Sequence, residues 1–230
     1  MCRMMAVTNF KFDTHKEIID NFFMLSRTGM VPPNNKPGHL DGWGIGWYKN
    51  GKSNVIKSGS SIIKDKNKFC IALRGIGSSK MLMIHLRKAA WDRSSKEEHA
   101  HPFVFKNYIF SHNGTILDYS ELLAAIPKPF LPGCGALDTE IFFRYLIKGF
   151  PAGFKKSINR IITRNKYSSL SFLMSAKNKL FAYRLYSKWQ DYYTLYKARS
   201  GKSTIISSEP VLDTLSWKLL KPGTLEKIPY

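Results

Sequence analysis

Negative charge is scarce in this chain. Its 230 residues hold 16 Asp and Glu against 36 Lys and Arg, a formal net charge of +20 at pH 7. A basic surface attracts nucleic acid, anionic membrane or acidic ligands. Yet the lysines stand singly or in pairs such as Lys155-Lys156, with no basic block and no arginine-rich tail. That spacing reads as a solvated surface, and nucleic acid is not an expected partner. Cysteine is nearly absent as well. Cys2, Cys70 and Cys134 make neither an even disulfide framework nor a paired metal spacing, which points to a reducing cytoplasm and to no metal. No apolar run approaches the ~20 residues that cross a bilayer, so no membrane partner is expected. The first residues lack the charged-then-apolar pattern of a signal peptide. Repeats, low-complexity stretches and linkers are missing too, and residues 1–230 read as one domain. With 43% hydrophobic residues the chain can fill one core.

What is present reads as blocks of strand and helix. Residues 3–10 make a short buried strand. Residues 14–29 are helical, because Ile18, Phe22 and Leu25 fall on one face with Ile19 and Phe23 beside them. A loop rich in Pro, Asn and Gly covers 30–42. Trp43-Gly44-Ile45-Gly46-Trp47-Tyr48 is a strand, and Asn50-Gly51 favours a hairpin turn with positive φ. Residues 60–73 read as helix. Met81-Leu82-Met83-Ile84-His85-Leu86-Arg87 is a buried strand whose last residue emerges at a sheet edge. A polar loop spans 88–101, and a strand pair turns around Lys106-Asn107. Asp118 and Glu121 are placed to form a capping box for a helix over 119–126. Asp138 opens a periodic helix carrying Ile141, Phe142, Tyr145 and Leu146, and a second helix covers 151–164. Strands are expected at 168–176, 180–186, 192–198 and 203–208. Strands, then helices, then strands again predict an α+β layered domain with mainly antiparallel sheets.

Chemistry concentrates in four places. The first is Cys2. Loss of the preceding methionine would leave a thiol and a free α-amine on one residue. An α-amine titrates near pH ~8 and a thiol near ~8.5, so the amine can serve as base for the thiol. Position 2 equally suits a small buried residue in a first strand. The second place is His112-Asn113-Gly114. An Asn amide and the next backbone N–H can aim at one oxyanion, where losing a donor costs ~10²–10³ in rate; Asn-Gly alone is also a turn. The third is Arg87, able to grip a carboxylate bidentately or to make an ordinary ion pair. The fourth is Asp138, a helix cap by position or a partner for an amino group. An Arg and an Asp held close suit the zwitterionic head of an amino acid.

Six motifs follow one another in a recognisable order. They are Cys2, Asp41-Gly42-Trp43-Gly44-Ile45-Gly46-Trp47-Tyr48, His85-Leu86-Arg87, His101-Pro102-Phe103, His112-Asn113-Gly114-Thr115-Ile116 and Asp138-Thr139-Glu140. Ser207-Ser208-Glu209-Pro210, Trp217 and Pro222-Gly223 extend the match to nearly the whole chain. In these pieces the chain resembles the class II glutamine amidotransferases, and among them the compact single-domain type. The resemblance implies an N-terminal nucleophile hydrolase fold: a four-layer αββα sandwich of two mainly antiparallel sheets with helices on the outer faces. It implies Cys2 as nucleophile with its own amine as base, and Asn113 and Gly114 as oxyanion hole. Arg87 would bind the α-carboxylate of glutamine and Asp138 its α-amino group, with His112 on the substrate side. No metal or organic cofactor is implied. Two departures bear on the substrate. Lys88-Ala89-Ala90-Trp91-Asp92 stands where the family often carries Ala-Thr and then Gly, so a threonine hydroxyl is missing and Asp92 adds negative charge. His99 replaces an Asn before the His-Pro step. The substrate stays open between glutamine and another γ-glutamyl compound.

Two functional readings result. In the leading one the chain hydrolyses a γ-glutamyl amide through a Cys2 thioester. Having no room for a synthetase domain, it passes ammonia to a separate partner subunit or simply releases it. In the other it is a catalytically inactive basic module that binds nucleic acid or another anionic partner on the same fold. The net charge favours the second. The complete set Cys2, Arg87, Asn113, Gly114 and Asp138 argues against it.

Overall fold

The computed structural model describes residues 2–90, 96–176 and 178–230. The first strands are β1 (Arg3–Lys11), β2 (Trp43–Lys49), β3 (Lys52–Ser58), β4 (Ser78–Leu86), β5 (Phe103–Phe105) and β6 (Tyr108–Asn113). The later ones are β7 (Ser171–Ala176), β8 (Lys179–Tyr183), β9 (Tyr196–Ser200), β10 (Ser203–Ser207), β11 (Lys218–Leu219) and β12 (Leu225–Pro229). Between them lie α1 (Phe12–Thr28), α2 (Lys66–Ile76), α3 (Ser120–Ala124), α4 (Asp138–Ile147) and α5 (Phe154–Arg164). One sheet runs β11-β9-β10-β1-β4-β2-β3 and the other β12-β8-β7-β6-β5. Their strand pairs are antiparallel.

Alternation along the strands builds the layers. Met5, Val7, Leu82 and Ile84 face outward and pack with Ile18 and Phe22 of α1 and Phe69 and Leu73 of α2. The intervening residues Met4, Ala6, Met81 and Met83 meet Ile109 and Leu173 of the second sheet. That sheet turns Phe110, Phe172 and Met174 toward α4 and α5. The result is helix, sheet, sheet, helix, the αββα sandwich that the resemblance implies. Two glycines set the spacing of the sheets. A Cβ on Gly44 would sit 2.3 Å from the carbonyl oxygen of His101, and one on Gly46 would sit 2.7 Å from Cγ2 of Ile109.

Several local expectations need correction. Residues 62–65 form turns, and α2 begins only at Lys66. Asp118 does not cap α3: its φ is +54, its carbonyl accepts from Asn165 Nδ2 at 2.9 Å, and Glu121 instead pairs with Arg164 at 3.3 Å. Residues 151–153 are turn rather than helix. Tyr192 to Leu195 are buried but not strand, and β11 and β12 were not foreseen. Met1, Trp91 and Asp92 lie outside the described residues. Among those described, no helix is long and apolar enough to cross a membrane.

Candidate active site

Cys2 stands at the leading end of β1, 5% exposed. Register places it: Met4 pairs with His85 and Arg3 with Leu86, so the next step sets Cys2 beside Arg87. Alternation then turns Cys2, Met4, His85 and Arg87 toward the second sheet. From that sheet Asn113, at the end of β6, reaches back. Its Oδ1 accepts the backbone N–H of Cys2 at 2.8 Å. A backbone nitrogen can only donate here, so the amide orientation is fixed and Nδ2 is the free end. That Nδ2 is buried and has no hydrogen-bond partner among the described residues. The Tyr192 hydroxyl interacts with Asn113 but makes no hydrogen bond of full geometry.

Gly114 follows. A Cβ there would lie 2.1 Å from the Ser169 carbonyl oxygen and 2.7 Å from His112 Nε2, so no side chain fits. His112 points the other way, toward the helical layer, its ring 5.2 Å from that of Phe142. Its Nε2 lies 3.0 Å from the Ser169 carbonyl and its Nδ1 3.0 Å from Thr139 Oγ1. A carbonyl only accepts, so Nε2 carries the proton and Nδ1 accepts from the hydroxyl. Burial pushes the ring's pKa down to about 4. His112 is therefore neutral, and both its nitrogens are engaged with the protein.

Cys2, Arg87, His101, His112, Gly114 and Asp138 line one small cavity of about 70 Å³. Arg87 is buried, and its Nη1 donates to the Asp41 carbonyl at 3.1 Å. Asp138 is the first residue of α4 and accepts the Ile116 N–H on Oδ2 at 2.8 Å. Burial raises its pKa against the pull of backbone donors at Ile116 and Thr139. The structure thus brings all six expected residues to one place: Cys2, Arg87, His112, Asn113, Gly114 and Asp138.

The thiol is electrostatically prepared. Burial alone would raise its pKa, but with residue 1 in place the ammonium there, the nearby His85 imidazole and a backbone contact at Lys88 bring it down to about 5. His85 was not singled out from sequence, although its position two before Arg87 puts it on the same strand face. Neither was its partner, His101, whose Nδ1 lies 2.9 Å from His85 Nε2. Burial pushes His101 well below the usual imidazole range, so it is neutral and the contact holds one shared proton. The third residue missed is Tyr192, whose ring is covered by the Arg3 guanidinium at 4.4 Å. Arg3 is itself buried and bound to Glu209 at 2.5 Å, which pins the strand that follows Cys2. Among the described residues no cluster of His, Cys, Asp and Glu could hold a metal ion.

Known proteins are similar to this chain in sequence and in fold. The sequence profile of the family described as glutamine amidotransferases class-II matches residues 1–189. An uncharacterised protein of Methanocaldococcus jannaschii is 31% identical over 160 residues, 64% of this chain but only 43% of that protein. A glutamine aminotransferase class-II domain protein from Silicibacter pomeroyi superposes with a TM-score of 0.69 at 19% identity, over 100% of this chain and 95% of that one. Glutamine phosphoribosylpyrophosphate amidotransferase from B. subtilis gives 0.69 at 16% identity, over 99% of this chain and 49% of that enzyme.

Proposed function

The chain belongs to the class-II glutamine amidotransferases, and from that premise we propose that it hydrolyses the γ-amide of glutamine or of a γ-glutamyl compound through a thioester on Cys2. The observation that carries this reading is the Asn113 amide. A buried donor without a partner costs ~1–3 kcal/mol. Here Nδ2 is left so beside a nucleophile that its own Oδ1 holds in place. An oxyanion accepts that hydrogen bond, which makes the cost useful in the transition state.

The steps follow from the groups present. Arg87 and Asp138 hold the α-carboxylate and α-amino group. The Cys2 thiolate attacks the γ-carbonyl carbon, and the oxyanion takes hydrogen bonds from Asn113 Nδ2 and the Gly114 N–H. The α-ammonium of Cys2, freed once Met1 is removed, protonates the leaving nitrogen, and the C–N bond breaks to give the thioester. The amine then takes a proton from water, hydroxide adds to the thioester, and glutamate leaves as the thiolate returns. The same amine can serve as base to the thiol before attack and as acid to the leaving nitrogen after it. His112 acts indirectly, holding Thr139 of α4 and the Ser169 carbonyl ahead of β7 around Gly114. Ammonia or an amine passes to a separate acceptor subunit or into solution, in a cytoplasm that suits three unpaired cysteines. The inactive basic module is disfavoured, since a binding surface has no use for a buried unpaired amide at Cys2.

Active-site titration tests the reading. The glutamine-like electrophile 6-diazo-5-oxo-L-norleucine should label Met1-processed protein stoichiometrically at Cys2, sparing Cys70 and Cys134. Cys2→Ala should release no glutamate above background while remaining folded. Normal turnover by Cys2→Ala, or by protein that keeps Met1, would end it.

A further inference from the structure

We propose that the groove beside the catalytic cavity binds the amine half of a γ-glutamyl amide, and that this amine is a flat ring bearing an anionic group. The inference rests on the reading of Cys2, Arg87 and Asp138 given above. The groove has a volume of about 360 Å³, against about 70 Å³ at Cys2. The two cavities share Ala90 and Thr115, and Thr115 directly follows the oxyanion glycine. If Arg87 and Asp138 take both charged ends of the glutamyl head, only the γ-nitrogen can carry a group into the larger space. A primary amide such as glutamine would leave that space empty.

The lining states the chemistry. Trp189, Tyr193 and Tyr167 supply aromatic surface, Lys166 and Lys188 supply positive charge, and among the described residues the lining contains no Asp or Glu. Trp189 and Tyr193 stack at 6.2 Å and 28°, and Lys188 Nζ lies 4.1 Å above the Trp189 ring. Trp189 holds a left-handed backbone at φ +55, and its carbonyl accepts the N–H groups of Tyr192 and Tyr193 at 3.0 Å each. The wall is tied to the chemistry as well. The Tyr193 hydroxyl donates to Ser168 Oγ at 2.8 Å, and Ser168 Oγ accepts the Thr115 N–H at 3.0 Å. A flat ring can lie along such a wall, and the two ammonium groups attract an anion on it. The reaction is the hydrolysis already described. The γ-C–N bond breaks, the amine leaves with the proton from the Cys2 ammonium, and water supplies the oxygen of the glutamate carboxylate.

Three probes and one product separate the possibilities: L-glutamine, L-γ-glutamyl-4-nitroanilide, its 3-carboxy derivative, and the free amine 5-amino-2-nitrobenzoate. The expected kcat/KM is at least ~10-fold higher for the carboxylated anilide than for the plain one, a factor worth about 1.4 kcal/mol. Lys166→Ala with Lys188→Ala should erase that preference. Trp189→Gly, which a left-handed backbone accepts, should lower both anilides and leave glutamine hydrolysis unchanged. The free amine should quench tryptophan fluorescence saturably in wild type and in Cys2→Ala, and not in Trp189→Gly. If glutamine is cleaved but the anilides are not and the amine does not bind, the groove is overturned and the Cys2 reading stands. Variants that depress all three substrates equally also overturn it. No turnover of any probe removes the Cys2 reading, and the substrate assignment falls with it.

Discussion

The layer between the two sheets changes character along its length. In its middle the inward residues are apolar: Met4 and Ala6 on β1, Met81 and Met83 on β4, Ile109 on β6, Leu173 on β7. Toward the catalytic end each of the same strands turns polar. β1 leads to Cys2, β4 to His85 and Arg87, β6 to Ser111 and Asn113, β7 to Ser171, all of them buried. The two regions share backbone, register and exclusion from water. They differ in what the enclosed side chains must do. In the middle, filling space suffices, and each buried aliphatic side chain contributes roughly 1.5–3 kcal/mol. At the end, each polar group needs a partner or a task.

The largest test of that division is Asn113→Asp. The carboxylate keeps an acceptor for the Cys2 N–H but loses the Nδ2 donor and repels an oxyanion. Turnover should fall by at least ~10²–10³-fold with KM little changed, as for other oxyanion donors. A change confined to KM would make Asn113 a ground-state binder. The converse test is Leu173→Ala in the middle, where denaturant unfolding should show a loss of ~2–5 kcal/mol. The pH at which Cys2 is half alkylated should stay at its wild-type value, and a large shift would show that the two regions are one unit.

Acid should also loosen the catalytic end. His112 titrates near 4 in the fold against 6.5 as a free residue. The unfolded chain then binds the extra proton first, so stability falls as pH drops from about 6.5 toward 4. The limit is on the order of 3 kcal/mol at ~1.4 kcal/mol per unit. A flat profile of urea midpoints across that window would contradict a neutral His112. The smallest effect is His85→Gln. Loss of the imidazole should raise the half-alkylation pH of Cys2 by ~1 unit, in line with the removal of one favourable neighbour. Leu173→Ala serves as the control that leaves it alone.

The sequence showed the apolar middle more plainly than the polar end. Periodicity located β1, β2, β4 and α4, because their inward and outward residues alternate or recur every third or fourth position. It overextended to Tyr192 and Leu195, since a buried aromatic run resembles a strand while its backbone turns at Trp189. It missed β11, which has two residues, and β12, which ends in Pro229. The motifs named Cys2, Arg87, Asn113, Gly114 and Asp138, which the fold brings together. They contain His85 and His101 but give neither a role. His85 meets His101 only through the approach of two sheets at Gly44, and nothing local to either histidine encodes that approach. Asp118 misled because a capping box is judged on spacing, while its actual backbone is held by Asn165 from a distant helix end.

The position of β1 has a further consequence. It lies between β10 and β4 inside the seven-stranded sheet, so its amides are bonded on both sides. Amides in such a central strand exchange with solvent deuterium only when most of the molecule opens. Cys2 therefore adjoins a segment of slow exchange, while Ala90 and Trp189 lie outside helices and strands. On the proposed reading, a substrate enters and an amine leaves past those two segments, while β1 keeps the Cys2 N–H on Asn113.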